Sequence, residues 1–300
     1  MLKTLVTLAF AGTTTLFVST AAVAEKSGNF ILDEGASERI DVAGKLRMLS
    51  QRIPATACFA HVGIQTDENK ATLASSAAEF SNILTALQEG SPEIGIPSKE
   101  GDFTVLRALK TVQNVWQPLQ KNIDNVIDLG GYKWSVAYVA NQSVPLLDES
   151  NWLSSVLIGE YSDPAVLLQA DALTIDIAGR QRTLSQRIAK STCLYSTGLE
   201  TVYAGQELVE ARQHYDASLN ALRFGMPEAG IQASKSAQIN SELDEILVQW
   251  GGVQSILDAV VAGKAVSDAD REEVLNVMNA LTLAMETVVI HYNDESKLGL

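Results

Sequence analysis

The chain has 300 residues, 46% of them hydrophobic and few of them aromatic, a composition that suits one or two globular domains and excludes a disordered chain. Its formal net charge is −14, so the overall field repels nucleic acid and anionic lipid, and any anion it holds needs a local cationic site. Two cysteines, Cys58 and Cys193, are too few for a disulfide framework.

Taken in chain order, Lys3 is followed by an apolar run through Leu5, Leu8, Phe10, Leu16 and Phe17 and then by Ala22-Val23-Ala24. This order of charge, apolar segment and small residues predicts a cleaved secretory signal over 1–24, with a mature chain beginning at Glu25. No later stretch offers roughly 18 uninterrupted apolar residues, the length of a membrane span. The mature chain is therefore expected to be soluble and periplasmic, without membrane insertion. Export would permit a bridge between the cysteines.

Beyond residue 30, polar–apolar periodicity near 3.6 predicts an all-α chain with helices over 33–63, 67–89, 102–129 and 132–159, then 164–203, 206–224, 234–262 and 267–293. Gly90 and Gly225, each followed by Ser91-Pro92 or Met226-Pro227, read as helix C-caps. Ser162-Asp163-Pro164 reads as a junction, with Asp163 as N-cap and Pro164 at the first helical position.

The two sets of four are copies. Ile40-Asp41-Val42-Ala43-Gly44-Lys45-Leu46-Arg47-Met48-Leu49-Ser50-Gln51-Arg52-Ile53 returns as Ile175-Asp176-Ile177-Ala178-Gly179-Arg180-Gln181-Arg182-Thr183-Leu184-Ser185-Gln186-Arg187-Ile188, a shift of 135 residues. The Gly90 and Gly225 segments keep that shift, while Trp116, Gln120 and Asp124 match Trp250, Gln254 and Asp258 one residue out of step. The expected architecture is two tandem four-helix bundles, 25–161 and 162–300, with a pseudo-two-fold arrangement open to them.

On a helical wheel at about 100° per residue, Val42, Leu46, Leu49 and Ile53 form a core stripe. Ile40, Gly44, Arg47, Gln51 and Cys58 form a second stripe roughly opposite. The second copy places Ile177, Gln181, Leu184 and Ile188 on the core side and Ile175, Gly179, Arg182, Gln186 and Cys193 on the other. A glycine beside an arginine and an amide lets a guest approach the backbone while a planar fork of N–H donors grips it, which suits a small oxyanion.

If the two stripes face each other, Arg47 and Arg182 converge. At about 8 Å and an effective dielectric near 20, two such charges repel by roughly 2 kcal/mol, which a bound anion would convert to attraction. The plainer alternative for both is a helix arginine in ion pairs. Arg52 and Arg187 read as supporting, structural residues, and Ser50 and Ser185 as ordinary helix serines. Facing stripes could bridge Cys58 to Cys193, but two buried free thiols are the favoured reading. Trp116 and Trp250 read as core or helix-interface residues.

His61, His214 and His291 show no metal-ligand spacing, and no nucleophile triad or phosphate loop is apparent. No enzyme activity, metal or cofactor is expected.

The A-G-x-x-R-x-x-S-x-R pattern resembles the P-box of nitrate/nitrite sensor histidine kinases, and the fuller A-G-[KR]-x-R-x-L-S-Q-R form resembles the PilJ-type sensor domain of type IV pilus chemotaxis transducers. The first resemblance implies one nitrate held between two equivalent helices of a dimer by the first arginine of the motif and the nearby glycine backbone. Those positions are Arg47 with Gly44 and Arg182 with Gly179. Gln51 and Gln186 stand where the nitrate sensors carry an aromatic, and Pro54 is expected to kink the first helix only. The resemblance implies a sensory or solute-binding protein for a small anion, nitrate or nitrite first, with its output read by another protein. A second expectation is a helical module that uses the same stripe to dock on a membrane sensor, transporter or pilus-associated protein.

Overall fold

The computed structural model describes residues 35–129, 132–161, 169–199 and 203–298. The expected signal segment and the Asp163-Pro164 junction lie outside them. Among the described residues there are nine α-helices: α1 (Ala36–His61), α2 (Thr66–Glu89), α3 (Phe103–Leu129), α4 (Lys133–Tyr161), α5 (Gln169–Ser196), α6 (Ala204–Phe224), α7 (Ala237–Gly252), α8 (Gln254–Val261) and α9 (Asp268–Leu298).

Local chemistry sets the ends. Gly90 (φ 84°) and Gly225 (φ 81°) close α2 and α6, donating to the Ala86 and Ala221 carbonyls. Each is followed by a turn of 3-10 helix beginning at Pro92 or Pro227 and by a single antiparallel bridge, Ser91 to Ile96 or Met226 to Ile231. Asp102 then caps α3 by accepting from Thr104 and Val105 N–H at 2.7 and 2.9 Å, and Ser236 caps α7 by accepting from Ile239 N–H at 3.4 Å. The bridges keep the 135-residue shift and the caps are 134 apart, so the one-residue deletion falls in the short loop between bridge and cap.

Two expected spans are revised. The expected helix over 234–262 is broken at Val253, directly after Gly251-Gly252, where two residues without side chains weaken helical order. At the matching place α3 continues through Pro118. The expected helix to residue 203 ends at Ser196, because Gly198 adopts φ 68° and its N–H turns back to the Tyr195 carbonyl. α1 runs on through Pro54 to His61.

Within the first repeat α1 and α3 each pack on α2 and α4; within the second, α5 and α7 each pack on α6 and α9, with α8 against α5 and α6. α1 also packs on α5, and this contact fuses the repeats into one compact unit spanning Asp33–Leu300. Each copy holds the same aromatic pair in its core: Phe80 with Trp116 at 4.3 Å between ring centroids, and Tyr215 with Trp250 at 4.5 Å. The indole N–H groups donate to Ser81 and Asp216, again equivalent positions.

Residues 268–295 of α9 are apolar and long enough to cross a membrane by composition alone. Val274, Leu275, Met278, Leu281, Met285 and Val288 of this helix are buried against the second bundle's core. Their spacing is that of a helix with one face in a protein core.

Candidate functional site

Val42, Leu46, Leu49 and Ile53 are buried in the first bundle as their stripe requires, and so is the opposite stripe: Gln51, Gln186, Cys58 and Cys193 have no exposed surface. α1 is covered by its own bundle on one side and by α5 on the other, so both stripes face protein. In the second copy Ile177 and Leu184 are only partly buried, whereas Gln181 and Ile188 are fully so.

The repeated residues meet across this α1–α5 contact in successive layers. A Cβ built on Gly44 would stand 3.5 Å from Arg47 Nη2 and 3.7 Å from Arg182 Nη2; one on Gly179 would stand 3.5 Å from Arg182 Nη2 and 4.0 Å from Arg47 Nη2. Both guanidinium groups therefore reach over both glycines. Arg47 is 8% exposed and Arg182 3%, so their charges must be paired.

The pairing is reciprocal. Arg47 Nη1 donates to Asp176 Oδ1 at 3.1 Å, while Arg182 Nη2 lies 3.8 Å from Asp41 Oδ1. Each aspartate also meets a cation one turn along its own helix, Arg180 at 2.7 Å from Asp176 and Lys45 at 3.9 Å from Asp41. Residues 41 and 176, 45 and 180, and 47 and 182 are equivalent in the repeat, so one pseudo-two-fold operation relates the two halves of the cluster. Glu286 of α9 departs from that symmetry by pairing with Arg182 Nη1 and lying 3.7 Å from Lys45.

Burial pushes the Arg47 guanidinium below its ordinary value; Asp176 opposes this, and the positive charges of Arg180 and Arg182 add to it. Arg47 Nε is buried without a hydrogen-bond partner.

The next layer is asymmetric. Gln51 donates to Ser50 Oγ and the Ser143 carbonyl at 3.1 and 3.2 Å, whereas Gln186 donates to Asn279 and Thr282 of α9 at 3.0 and 2.8 Å. Gln51 Oε1 accepts from Lys190 Nζ at 2.8 Å, and the same ammonium donates to Ser143 Oγ at 3.0 Å and Glu207 Oε1 at 2.7 Å. Arg187 Nε and Ser191 Oγ complete Glu207, at 2.8 and 3.0 Å. Burial works to raise the Glu207 carboxyl, but Lys190 and Arg187 outweigh it and hold it below the usual range.

Of the supporting residues, Ser50 and Ser185 donate to carbonyls of their own helices, Arg47 and Gln181 respectively. Arg187 pairs with Glu207 and Glu210. Burial lowers the Arg52 guanidinium, with Glu79 and Glu286 opposing from a distance. At the far layer Cys58 and Cys193 are joined by a disulfide. This replaces the favoured expectation of two free thiols, and it follows from the facing of the stripes, which brings the two Cα atoms to 6.2 Å. His291 pairs with Glu242 at 2.9 Å.

Sequence reasoning missed the carboxylates Asp41, Asp176 and Glu286 and the buried Lys190 and Glu207. The aspartates were visible as members of the repeated stretch. Lys190 and Glu207 occupy positions held by Ala55 and Thr72 in the first copy, and such breaks in the repeat were the available signal. A cavity of about 500 Å³ lies beside Lys190, lined by Ala140, Val144, Arg187, Leu194 and Glu207 among others; Arg47 and Arg182 do not line it.

Two four-helix bundles joined through the helices that carry a repeated Gly/Arg motif define a tandem helical-bundle protein. The chain belongs to the PilJ family, the type IV pili methyl-accepting chemotaxis transducer N-terminal domain, whose model matches residues 33–141 and 168–274. Each match falls on one copy of the repeat. The chain is therefore a helical domain of a sensory, signalling class. No curated protein matches it.

Proposed function

We propose that this chain is an exported sensory protein that holds one small oxyanion, nitrate or nitrite first, between Arg47 and Arg182 and passes the result to a membrane-bound or pilus-associated partner. The observation that carries the reading is the convergence of two buried guanidinium groups over two glycines. Local charge supports it. Arg47, Arg182, Lys45 and Arg180 outnumber Asp41, Asp176 and Glu286 by one in a chain whose net charge is −14, so the cluster is a positive spot in an acidic protein. The unpartnered Arg47 Nε adds a buried donor beside it. Gln51 and Gln186 are committed to helix partners, so Gly44, Gly179, Arg47 and Arg182 make the contact and the glutamines fix the spacing of the helices.

Ligand at 100-fold excess over its Kd adds about 2.7 kcal/mol to the folded state, about 5–10 °C in Tm for a unit of this size. A thermal-shift series with nitrate, nitrite and chloride tests the reading. A shift with nitrate or nitrite that disappears in Arg47→Ala and Arg182→Ala supports it; no anion-specific shift in the wild-type protein sinks it.

A further inference from the structure

Asp176 accepts from Arg47 at 3.1 Å and Asp41 lies 3.8 Å from Arg182, so both carboxylates stand against guanidinium groups that an oxyanion would need. We infer that these two aspartates are resident competitors for the anion, so that binding is an exchange: the guest takes the guanidinium donors and the two cross-helix ion pairs open. The inference rests on the anion reading above and deepens it by assigning the regulation of that site.

Three observations carry it. The pairs are reciprocal, Arg47 with Asp176 and Arg182 with Asp41, and each runs between α1 and α5; they therefore clasp the two repeats as well as neutralise the arginines. The carboxylates are the exposed partners: the Asp41 and Asp176 side chains are 43% and 23% exposed, against 4% and 9% for Arg182 and Arg47. An aspartate that gives up its arginine can thus be solvated by water, while an arginine that loses its partner must find another. Finally, each aspartate has a second cation on its own helix, Lys45 or Arg180, one turn away. It can retire to that cation when displaced. Glu286, held by Arg182 and Lys45, is drawn into the same exchange and links it to α9.

The geometry of the motion follows from the other end of the interface. The disulfide fixes α1 to α5 at Cys58 and Cys193, fourteen residues beyond Gly44 and Gly179 and roughly 21 Å away at the helical rise. Opening of the clasp therefore displaces the helices most at the arginine end and least at the bridge.

The test compares nitrate binding by calorimetry to the full wild-type chain and to Asp41→Asn/Asp176→Asn, with the structure of the wild-type nitrate complex as second measurement. Relief of two partly exposed pairs should tighten binding by about 2- to 30-fold, and in the complex Arg47–Asp176 and Arg182–Asp41 should no longer be in contact. Neutralising nearby charge could tighten binding by itself, so the complex is decisive: nitrate bound with both ion pairs intact overturns the exchange and leaves the anion reading standing. Equal affinities for the two proteins also overturn the exchange alone. Nitrate binding to neither protein overturns the anion reading and this inference together. Binding to the asparagine variant only overturns the anion reading of the wild-type chain and this inference with it.

Discussion

Cys58 of α1 and Cys193 of α5 are bonded to each other and stand 135 residues apart, the same shift that carries Ile40 onto Ile175. A bond between equivalent positions of two copies must sit at the axis that relates them, so the covalent link and the arginine cluster mark two points on one pseudo-two-fold.

A crosslink across so long a loop restricts the unfolded chain strongly. Replacement by Cys58→Ser/Cys193→Ser should lower the unfolding free energy by about 2–5 kcal/mol, read from urea denaturation of the wild-type and variant proteins. Thiol labelling of the denatured wild-type protein should find no reactive cysteine. Two labelled thiols in protein purified from an oxidising compartment would contradict the bridge.

Gly44 and Gly179 separate packing from access. A methyl group at either position would meet the arginine Nη2 atoms at 3.5–4.0 Å, ordinary contact distances, so nothing in the packing requires glycine there. Alanine is favoured over glycine inside a helix by about 1 kcal/mol. Gly44→Ala/Gly179→Ala should therefore fold with unchanged or higher stability, by up to about 2 kcal/mol. The same methyl groups cover the backbone that an anion would approach, so the nitrate-dependent thermal shift should shrink or vanish. A stable variant with the full wild-type shift would show that the glycines do not serve the ligand.

The repeat and the periodicity of the helices were legible in the sequence because both are local: a 135-residue self-match and a 3.6-residue rhythm survive without coordinates. The caps at Gly90 and Gly225 were legible for the same reason. The meeting of α1 with α5 was available only as a condition, since the Gly44, Arg47 and Gln51 stripe of α1 is polar or small enough to face solvent, and only contact between the copies decides that it does not. Lys190 and Glu207 were not marked by the self-match that revealed the arginines, because they are among the residues in which the two copies differ. The break at Val253 belongs to the same class: Gly251-Gly252 has no glycine pair to match it in the first copy.

Gln181 is one such difference whose energetic sign can be measured. It stands where the first copy has Leu46, is fully buried, and donates to the Tyr215 carbonyl at 3.2 Å while its Oε1 has no partner. A buried acceptor left unpaired costs about 1–3 kcal/mol and one such hydrogen bond returns about 1. Gln181→Leu, which transplants the first copy's residue, should raise the unfolding free energy by up to about 2 kcal/mol. A destabilised variant would mean that the amide is bonded in solution, through water or a ligand.

Glu207 gives the pH dependence. Its folded-state carboxyl is held below the ordinary 4.5, burial being outweighed by Lys190 and Arg187, so its contribution is present in full above that value and is lost as pH falls through the lowered one. Glu207→Gln takes a carboxylate away from the buried Lys190 and from Arg187 and should cost about 3–5 kcal/mol at neutral pH. The difference between wild type and variant should narrow as pH falls below 4.5 and on through the lowered value, where the folded wild-type carboxylate becomes protonated. Lys190→Ala/Glu207→Thr restores the pair of residues found at Ala55 and Thr72 in the first copy, removes both buried charges together, and leaves Arg187 with Glu210 at 3.9 Å. It should therefore cost less than Glu207→Gln alone. Acid unfolding curves of the three proteins at matched ionic strength check both statements: parallel curves for wild type and Glu207→Gln across pH 3–7 would remove Glu207 from the pH response, and a double variant less stable than the single would show that the network acts through more than its paired charges.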